Sequence, residues 1–311
     1  MNNKNPRISV VIPTYNRRDV ISRAIDSVLE QTINDFEIVI VDDGSIDETS
    51  EVVDLYNDDR IRYIQHEENK GQNIARNTGL RAAEGTYISY LDSDDVLLPP
   101  HLENAVHNME ELPDDYAGVV TGYEDVVDGK VIPQPGYDGK ITYENLIRDM
   151  YDKIGGLSLL TFRTDILGKV GFHDEDIVNS TDLDFYLQIL EEYNLFGADE
   201  ILCRRFKQTD SVSMDAELVA RGEKTIISKH GDKLTPENRA KRRYNRGIAL
   251  AELGEMQEAS RVFRGCIRDY PYGVLYYYHY AISLLGGRAF HLLAIYPYIR
   301  DWHPESLSKN N

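Results

Sequence analysis

The first hundred residues alternate between short apolar runs and longer amphipathic stretches. Apolar runs rich in β-branched residues predict strands at 8–12, 36–41, 61–64 and 87–91. The stretches between them have the period of amphipathic helices, at 19–29, through residue 55, and at 71–80. Strands separated by helices of this length favour right-handed crossovers and a mostly parallel sheet flanked by helices. The expected fold class is therefore α/β.

The rest of the chain changes character twice. Short strands are predicted at 118–123, 130–132 and 157–163, and a helix follows at 182–193. Beyond about residue 205 the pattern is helical, and residues from about 240 to 271 have the spacing of one tetratricopeptide-like hairpin. One repeat does not fold alone, so this hairpin must pack on another part of the protein. The segments that follow it, at 274–299, are apolar and Tyr-rich. We therefore predict a first domain at 1–205 and an α-helical C-terminal extension at 206–311.

Polar side chains directly follow three of the predicted strands, at the point where each strand ends. The three clusters are Thr14-Tyr15-Asn16, Asp42-Asp43 and Asp92-Ser93-Asp94. The carboxyl ends of parallel strands lie at one edge of the sheet, where ligands of such folds bind. One such cluster would be consistent with a helix cap, but three at equivalent places predict a binding site.

Several carboxylates at one edge repel each other, and a bound divalent cation relieves that repulsion. Asp92 and Asp94 offer hard oxygen ligands that suit Mg²⁺ or Mn²⁺ rather than Zn²⁺. A metal held by one or two carboxylates takes substrate phosphates as further ligands, which indicates a diphosphate substrate. The nearby cations that would neutralise phosphates are Lys70, Arg76 and Arg81. Taken alone, the acidic cluster is equally consistent with an Asx turn and a helix cap.

The composition of the 311 residues, 41% apolar and 28% charged, is that of a folded globular protein. Cys203 and Cys266 lie far apart, which supports neither a disulfide framework nor a zinc site and favours a reducing compartment. A net charge of −19 argues against nucleic acid as a partner. Such acidity resembles the surfaces of salt-loving organisms, an ordinary acidic protein being the alternative.

The charge is uneven along the chain, which bears on membrane contact. Residues 1–199 carry 16 basic and 40 acidic side chains, whereas residues 200–311 carry 18 and 13. The cations concentrated ahead of the Tyr-rich segments are Arg239, Lys241, Arg242, Arg243 and Arg246. Cations beside aromatic residues are typical of a surface on anionic lipid, the alternative being a solvated helix face on a packed hairpin. The sequence shows no signal-peptide pattern and no run of about 18 apolar residues, so we expect a cytoplasmic protein, free or peripheral at the inner membrane face.

Four motifs carry a more specific pattern: VVIPTYNR at 10–17, VDDGSID at 41–47, GQNIARNTGL at 71–80 and YLDSDDVLLP at 90–99. In order and spacing they resemble family 2 glycosyltransferases of the GT-A fold. The resemblance covers residues 7 to about 200 and continues with VGFHDEDIVNSTDLDFYLQI at 170–189, which is similar to the family's acceptor-side segment. It implies that residues 1–205 form a GT-A nucleotide-sugar-binding and catalytic domain.

The resemblance implies a nucleotide pocket at the ends of the first two strands. Pro13, Thr14 and Tyr15 would line that pocket. Asp42, with Asp43 beside it, would read the base, commonly uracil.

It also implies roles for the remaining motif residues. Arg76 would face the base or the phosphates, and Asp92 would lie near the ribose. Asp94 would hold Mn²⁺ or Mg²⁺ on the diphosphate, and Asp182 would be the catalytic base. The chain departs from the family at one position, because Thr181 stands where the family usually has Glu.

These roles match what sugar transfer requires. A metal neutralises the charge of the departing diphosphate, and a carboxylate on the opposite face of the sugar takes the proton of the attacking hydroxyl. A single displacement of this kind inverts the anomeric centre. The implied function is an inverting glycosyltransferase that uses a nucleotide diphosphate sugar, commonly UDP-linked. With the acidic composition, the resemblance further implies haloarchaeal-type assembly of dolichol phosphate-linked glycans for N-glycosylation of surface-layer proteins, with a lipid-linked glycan as acceptor.

Two other functions fit parts of the sequence. A hydrophobic strand followed by Asp92-Ser93-Asp94-Asp95 also fits the nucleophile motif of haloacid dehalogenase-like phosphatases, although that motif usually opens its fold. A non-catalytic nucleotide-sugar-binding scaffold is the second alternative, since Thr181 replaces an acid. The sequence has no P-loop and no GxGxxG after the first strand, which excludes the usual NTPases and dinucleotide oxidoreductases.

Overall fold

The computed structural model describes residues 6–150, 154–206 and 215–294. Contacts within the chain divide it into two compact units, 1–209 and 210–311. The predicted apolar segment at 274–299 is described as far as residue 294, and its remainder lies outside the described residues.

The first unit contains a ten-stranded sheet and seven α-helices among its described residues, besides short 3-10 and π-helical turns. The strands are β1 (Ile8–Thr14), β2 (Phe36–Asp42), β3 (Ile61–Gln65), β4 (Tyr87–Tyr90), β5 (Val96–Leu97), β6 (Tyr116–Val127), β7 (Lys130–Gln134), β8 (Gly139–Ile141), β9 (Leu160–Arg163) and β10 (Asn194–Phe206). The helices are α1 (Ile21–Leu29), α2 (Thr49–Asp54), α3 (Gln72–Ala82), α4 (His101–Glu111), α5 (Tyr143–Asn145), α6 (Leu167–Val170) and α7 (Thr181–Glu192). All strands and helices predicted in the first hundred residues are present.

The sheet is mixed, with its parallel part at one end. The strand order is β3-β2-β1-β4-β9-β6-β10-β5, with β7 on β6 and β8 on β10. β3, β2, β1 and β4 are parallel, whereas β9 runs antiparallel to both β4 and β6. The reason is local: the turn Leu157–Leu159 brings Ser158 to the Asp92 backbone at the carboxyl end of β4, so β9 starts there and runs back. The α/β class is confirmed, and the parallel strands are those that carry the predicted site.

β1 and β2 form the centre of the core. Every residue of both strands is buried, as expected for parallel strands covered by helices on both faces. α3 packs so closely on them that a Cβ on Gly79 would lie 2.4 Å from Cγ1 of Val11. This close approach fixes the position of α3 over the sheet, and with it the polar residues one turn earlier in the helix.

The described part of the second unit is helical, as predicted. Its helices are α8 (Ala216–His230), α9 (Pro236–Glu252), α10 (Met256–Asp269), α11 (Val274–Ser283) and α12 (Gly287–Leu293). α9 and α10 correspond to the predicted hairpin, and a Cβ on Gly247 would lie 2.6 Å from the Phe263 ring. The two helices therefore approach where the sequence has a small residue. Within the described residues, no helix is both long and apolar enough to cross a membrane.

The basic cluster ahead of the Tyr-rich segments is largely neutralised inside this unit. Four of its five cations pair with acids of neighbouring helices. The pairs are Arg239 and Arg243 with Asp269, Arg242 with Glu223, and Arg246 with Glu258. The cluster thus joins α8, α9 and α10, which favours the packed hairpin over a basic surface made by these residues.

Candidate active site

The three polar clusters predicted at strand ends lie side by side, because β2, β1 and β4 are neighbours in the sheet. Thr14 pairs with Asp42 in the register of β1 and β2, and Val11 pairs with Tyr90, two residues before Asp92. Two hydrogen bonds of Arg76, a residue of α3, bring this helix and the start of α7 to the same edge. The structure therefore assembles strand-end and helix residues that are far apart in the sequence.

The end of β1 combines two buried residues with an exposed ring. Pro13 and Thr14 are buried, whereas Tyr15 is 40% exposed. The Thr14 carbonyl accepts the Asp43 backbone N–H at 2.8 Å, but the Thr14 hydroxyl has no hydrogen-bond partner among the described residues. A buried polar group without a partner costs about 1–3 kcal/mol. A polar ligand bound at this edge would supply the missing partner.

Asp42 is fully buried and holds the loop that follows β2. Its carboxylate accepts hydrogen bonds from the Ser45 backbone N–H at 2.7 Å and from the Tyr63 hydroxyl. Burial, and then this hydrogen bond to Asp42, raise the pKa of Tyr63. The Ser45 hydroxyl accepts the Asn16 backbone N–H at 2.8 Å, which ties the loops after β1 and β2 together. Asp42 thus shapes the predicted base pocket, and its contact with a base stays a prediction.

Asp43 anchors the start of α3. Its carboxylate accepts the backbone N–H groups of Lys70 at 3.0 Å and Gly71 at 2.7 Å, and it lies 2.7 Å from Nδ1 of His66. A carboxylate at this position interacts favourably with the helix dipole. Gly71 has a φ of 107°, a conformation that favours glycine. Asp43 therefore fixes where α3 begins.

Arg76 connects the acidic strand end to the helix that carries Asp182. Its side chain is buried, with Nη1 donating to the Thr181 hydroxyl at 2.8 Å and Nη2 donating to the Asp92 carboxylate at 3.1 Å. The sequence assigned Arg76 to the base or the phosphates, and the structure directs both terminal nitrogens to protein groups. Thr181, which replaces the family's usual acid, still accepts a hydrogen bond from this arginine.

The three acids after β4 differ in their surroundings. The Asp92 side chain is 33% exposed. Burial, followed by the charge of Asp92, raises the pKa of Asp94. Burial and the charges of both neighbours raise the pKa of Asp95 well above its usual range. The Ser158 hydroxyl holds this turn, because it accepts the Asp92 N–H at 3.0 Å and donates to the Asp95 carboxylate at 2.8 Å.

The surroundings of Asp92 and Asp94 suit a divalent cation held by one or two carboxylates, and not a site with three or more protein ligands. The described residues contain no group of three or more His, Cys, Asp or Glu side chains arranged to hold a metal. In the same part of the chain, no other residue hydrogen-bonds to or forms an ion pair with the Asp94 carboxylate. Burial, and then the charge of Asp92, raises the pKa of Asp94, and hard oxygen donors of this kind suit Mg²⁺ or Mn²⁺, which bind through one or two carboxylates and substrate phosphates. The role of Asp94 as the metal ligand stays a prediction.

Asp182 lies in the first turn of α7 and is partly exposed. Its Oδ1 accepts the Leu183 backbone N–H at 2.8 Å, so the carboxylate caps a backbone group in the first turn of its own helix. Asp184, also in the first turn, is buried and accepts a hydrogen bond from Gln188. Of these two acids, Asp182 is the one that a ligand can reach.

Several residues of the site were missed from the sequence. Ser158 lies 66 residues from Asp92 and no motif marks it, so its role is visible only in the structure. Arg23, whose Nη2 donates to the Asp94 carbonyl at 2.6 Å, likewise has no motif of its own. Asn73 and Asn77 lie inside the quoted GQNIARNTGL motif, so there the signal was present. Arg81, predicted to neutralise phosphates, lies 3.9 Å from the Glu175 carboxylate.

Residues 9–165 match the family model described as Glycosyl transferase family 2. The chain belongs to this family. The matched range contains the ends of β1, β2 and β4 together with Arg76, Asp92 and Asp94, while Asp182 lies beyond it. The family predicted from the motifs is confirmed, and the haloacid dehalogenase-like alternative is replaced by it.

One relative with a specific description is bacterial. WfgD of Escherichia coli, described as UDP-Glc:alpha-D-GlcNAc-diphosphoundecaprenol beta-1,3-glucosyltransferase, is 31% identical over 205 residues, which cover 66% of this chain and 78% of that protein. This chain spans only 63% of the length of another curated glycosyltransferase that it matches.

Two solved structures share the fold. TarS 1-349 of S. aureus in complex with UDP-GlcNAc superposes with a TM-score of 0.63 at 21% identity, covering 85% of this chain and 81% of that one. The mannosyltransferase PcManGT of Pyrobaculum calidifontis in complex with GDP-Man and Mn²⁺ gives a TM-score of 0.59 at 20% identity, covering 96% of this chain and 84% of that one. At these identities the likeness shows the GT-A fold.

Proposed function

We propose that this chain transfers a sugar from a nucleotide diphosphate sugar to a hydroxyl acceptor, with inversion at the anomeric carbon. The donor that we propose is UDP-linked. The observation that carries the proposal is the pair of Arg76 hydrogen bonds, to Asp92 on the donor side and to Thr181 beside Asp182. These bonds link the acidic turn after β4, which lies in the range matched by the family model, to Thr181, the residue before the partly exposed Asp182.

The residues divide the chemistry between them. Asp94 would hold Mn²⁺ or Mg²⁺, which when bound supplies Lewis-acid stabilisation of the leaving diphosphate. Asp182 takes the proton of the acceptor hydroxyl as general base, a role that its partly exposed carboxylate can fill because an acceptor can reach it. Arg76 orients Asp92 near the ribose and supports the start of α7. Attack by the acceptor hydroxyl from the side opposite the leaving group then inverts the configuration at the anomeric carbon.

The nucleotide pocket is proposed at the ends of β1 and β2. The Thr14 hydroxyl, which has no partner in the described ranges, can donate to a ligand, and the exposed Tyr15 ring two residues after Pro13 can stack on a base; both support the proposal. Asp42 and Asp43 would face the base from loops that their own hydrogen bonds fix. A solved structure of the same fold with UDP-GlcNAc supports a UDP-linked donor.

The acceptor we propose is a lipid-linked glycan. Support comes from the 31% identical WfgD, whose description names a diphosphoundecaprenol-linked sugar. A dolichol phosphate-linked glycan of protein N-glycosylation in a salt-adapted cell is the narrower form of this proposal. It rests on the net charge of −19 and on the motif resemblance.

Such an acceptor would be met at the inner face of the cell membrane, and one surface of the second unit suits that contact. Val274 and Tyr277 share one face of α11 and are exposed, as is Leu284 directly after the helix. Residues 270–300 contain no Asp or Glu although the chain has 53 of them. An apolar, acid-free face is the part of this acidic molecule least repelled by anionic lipid.

The test is a panel of nucleotide sugars incubated with the protein, Mn²⁺ and lipid-linked glycans in vesicles, at low and at molar salt. We expect release of nucleoside diphosphate from one donor, dependent on the acceptor and abolished by EDTA. Asp94→Ala should lose metal-dependent donor binding. Phosphate release from sugar phosphates without nucleotide dependence would contradict the proposal, and donor binding without transfer to any acceptor would favour the scaffold alternative.

A further inference from the structure

Residues 171–180 form neither helix nor strand and lead directly into α7, so they determine where Asp182 lies. This pre-α7 segment borders one face of α3. Asn73, Arg76 and Asn77 are three and four residues apart in α3, so they share that face, and their exposures are 4%, 3% and 1%. Buried polar side chains need partners: Arg76 finds its partners in Asp92 and Thr181, and the segment provides those of Asn73 and Asn77.

The backbone of the segment is irregular, so its N–H and C=O groups lack the partners that a helix or a sheet would provide. The amides of Asn73 and Asn77 supply some of these partners. Asn77 donates from Nδ2 to the His173 carbonyl at 3.0 Å and accepts the His173 N–H on Oδ1 at 2.9 Å. Asn73 donates from Nδ2 to the carbonyls of Asp174 at 2.8 Å and Ile177 at 3.0 Å. Buried backbone groups outside regular structure require such partners, so α3 holds the segment at these points.

The pre-α7 segment is held from its other side through His173. Nε2 of this residue lies 2.7 Å from the Tyr90 hydroxyl at the end of β4. Its ring stacks on Phe185 of α7, with the ring centroids 4.0 Å apart. The segment is therefore fixed between the sheet, α3 and α7.

We propose that Asn73 and Asn77 are positioning residues for Asp182, a role that rests on the proposed sugar transfer. Asp43 fixes the start of α3, the two asparagines tie α3 to the pre-α7 segment, and Arg76 joins α3 to Asp92 and to the start of α7. One helix thus sets the separation between the donor-side acids and the general base. A displacement of about 1 Å at a reacting group costs about 100-fold in rate.

Asn73→Ala tests this role, with Asn194→Ala as its matched control. The Asn194 amide donates to Asp115 at 2.8 Å at the amino end of β10, the sheet edge opposite the site. Asn73→Ala should lower kcat by about 100-fold while leaving the KM for the donor and the affinity for UDP with Mn²⁺ unchanged. Asn194→Ala should change none of them. An unchanged kcat in Asn73→Ala, or equal losses of kcat and UDP affinity, would overturn the positioning role.

Amide hydrogen exchange of Asn77→Ala gives a readout that does not depend on turnover. Loss of the Oδ1 acceptor should speed exchange at His173 and its neighbours in the pre-α7 segment, with protection of β1 retained. Unchanged exchange in the segment would overturn the inference. Faster exchange there, in a protein that transfers no sugar from any donor, would uphold the contacts and contradict the proposed function instead.

Discussion

At the scale of residues, individual hydrogen bonds position the side chains of the candidate site. The bond from Arg76 to Thr181 can be removed with almost no change in side-chain size. Thr181→Val keeps the shape of the residue but leaves a buried guanidinium N–H without its acceptor. A buried donor left unpaired costs about 1–3 kcal/mol. We expect the unfolding temperature of this variant to fall by about 2–4 °C for each kcal/mol lost.

Thr32→Val is the control for this prediction, because Thr32 is exposed and its hydroxyl donates to Glu103 at the surface. Surface changes of this kind alter stability by about 0.5 kcal/mol or less. Thr181→Glu should recover most of the loss, since a carboxylate can accept from the same arginine. Thermal unfolding of the three variants checks the set, and equal stability of Thr181→Val and Thr32→Val would contradict it.

The sequence predicted which residues end the strands but not how their side chains are used. Thr14, Asp42 and Asp92 follow neighbouring parallel strands, so their convergence follows from strand order alone. The bond from Arg76 to Thr181 joins residues 105 positions apart, and no periodicity encodes such a contact. The hydrogen bonds that occupy the Asp42 and Asp43 carboxylates also depend on loop geometry that a pattern does not specify.

At the scale of elements, the position of α3 over β1 controls the site. Gly79 allows this contact, because a Cβ there would overlap the short and buried Val11 side chain. Gly79→Ala should therefore destabilise the protein by about 1–3 kcal/mol through overpacking. The displaced helix should also lower transfer activity, since α3 carries Arg76.

Gly168→Ala in α6 is the matched control, because a Cβ at Gly168 would have no atom within 4 Å. That change should be neutral or slightly stabilising, as alanine favours helix over glycine. Combining Gly79→Ala with Val11→Ala should cost less than the sum of the single changes, because the smaller partner relieves the overlap. Chemical denaturation measures all four variants, and strict additivity would argue against steric overlap at this contact.

There are physical reasons why the sequence pattern did not predict some elements of the fold. β10 contains Gly197, Asp199 and Glu200 in its middle and pairs with β6 through register shifts, so its apolar alternation is broken. The sheet is mixed because β9, which follows β4 only after about 70 residues, starts beside the carboxyl end of β4 and runs antiparallel to it. By contrast, β1 to β4 are mostly apolar, rich in β-branched residues and separated by helices, and these were predicted.

At the scale of the whole molecule, the acidic charge is concentrated in residues 1–199, which contain the site, while the remainder is slightly basic. The sequence showed this asymmetry but not the internal pairing of the basic cluster, because Asp269 and Glu223 are distant from it along the chain. The proposed sugar transfer requires that the acidic turn after β4 binds the donor while Asp182 acts as the general base.

The most direct measurement compares donor binding and sugar transfer in Asp182→Asn. Asparagine can still accept the Leu183 N–H, so the start of α7 should be preserved. Transfer should fall by about 10²–10⁴-fold, the usual contribution of a general base. Calorimetric affinity for the nucleotide sugar with Mn²⁺ should stay at the wild-type value. Transfer at the wild-type rate, or a loss of donor binding equal to the loss of transfer, would contradict the account.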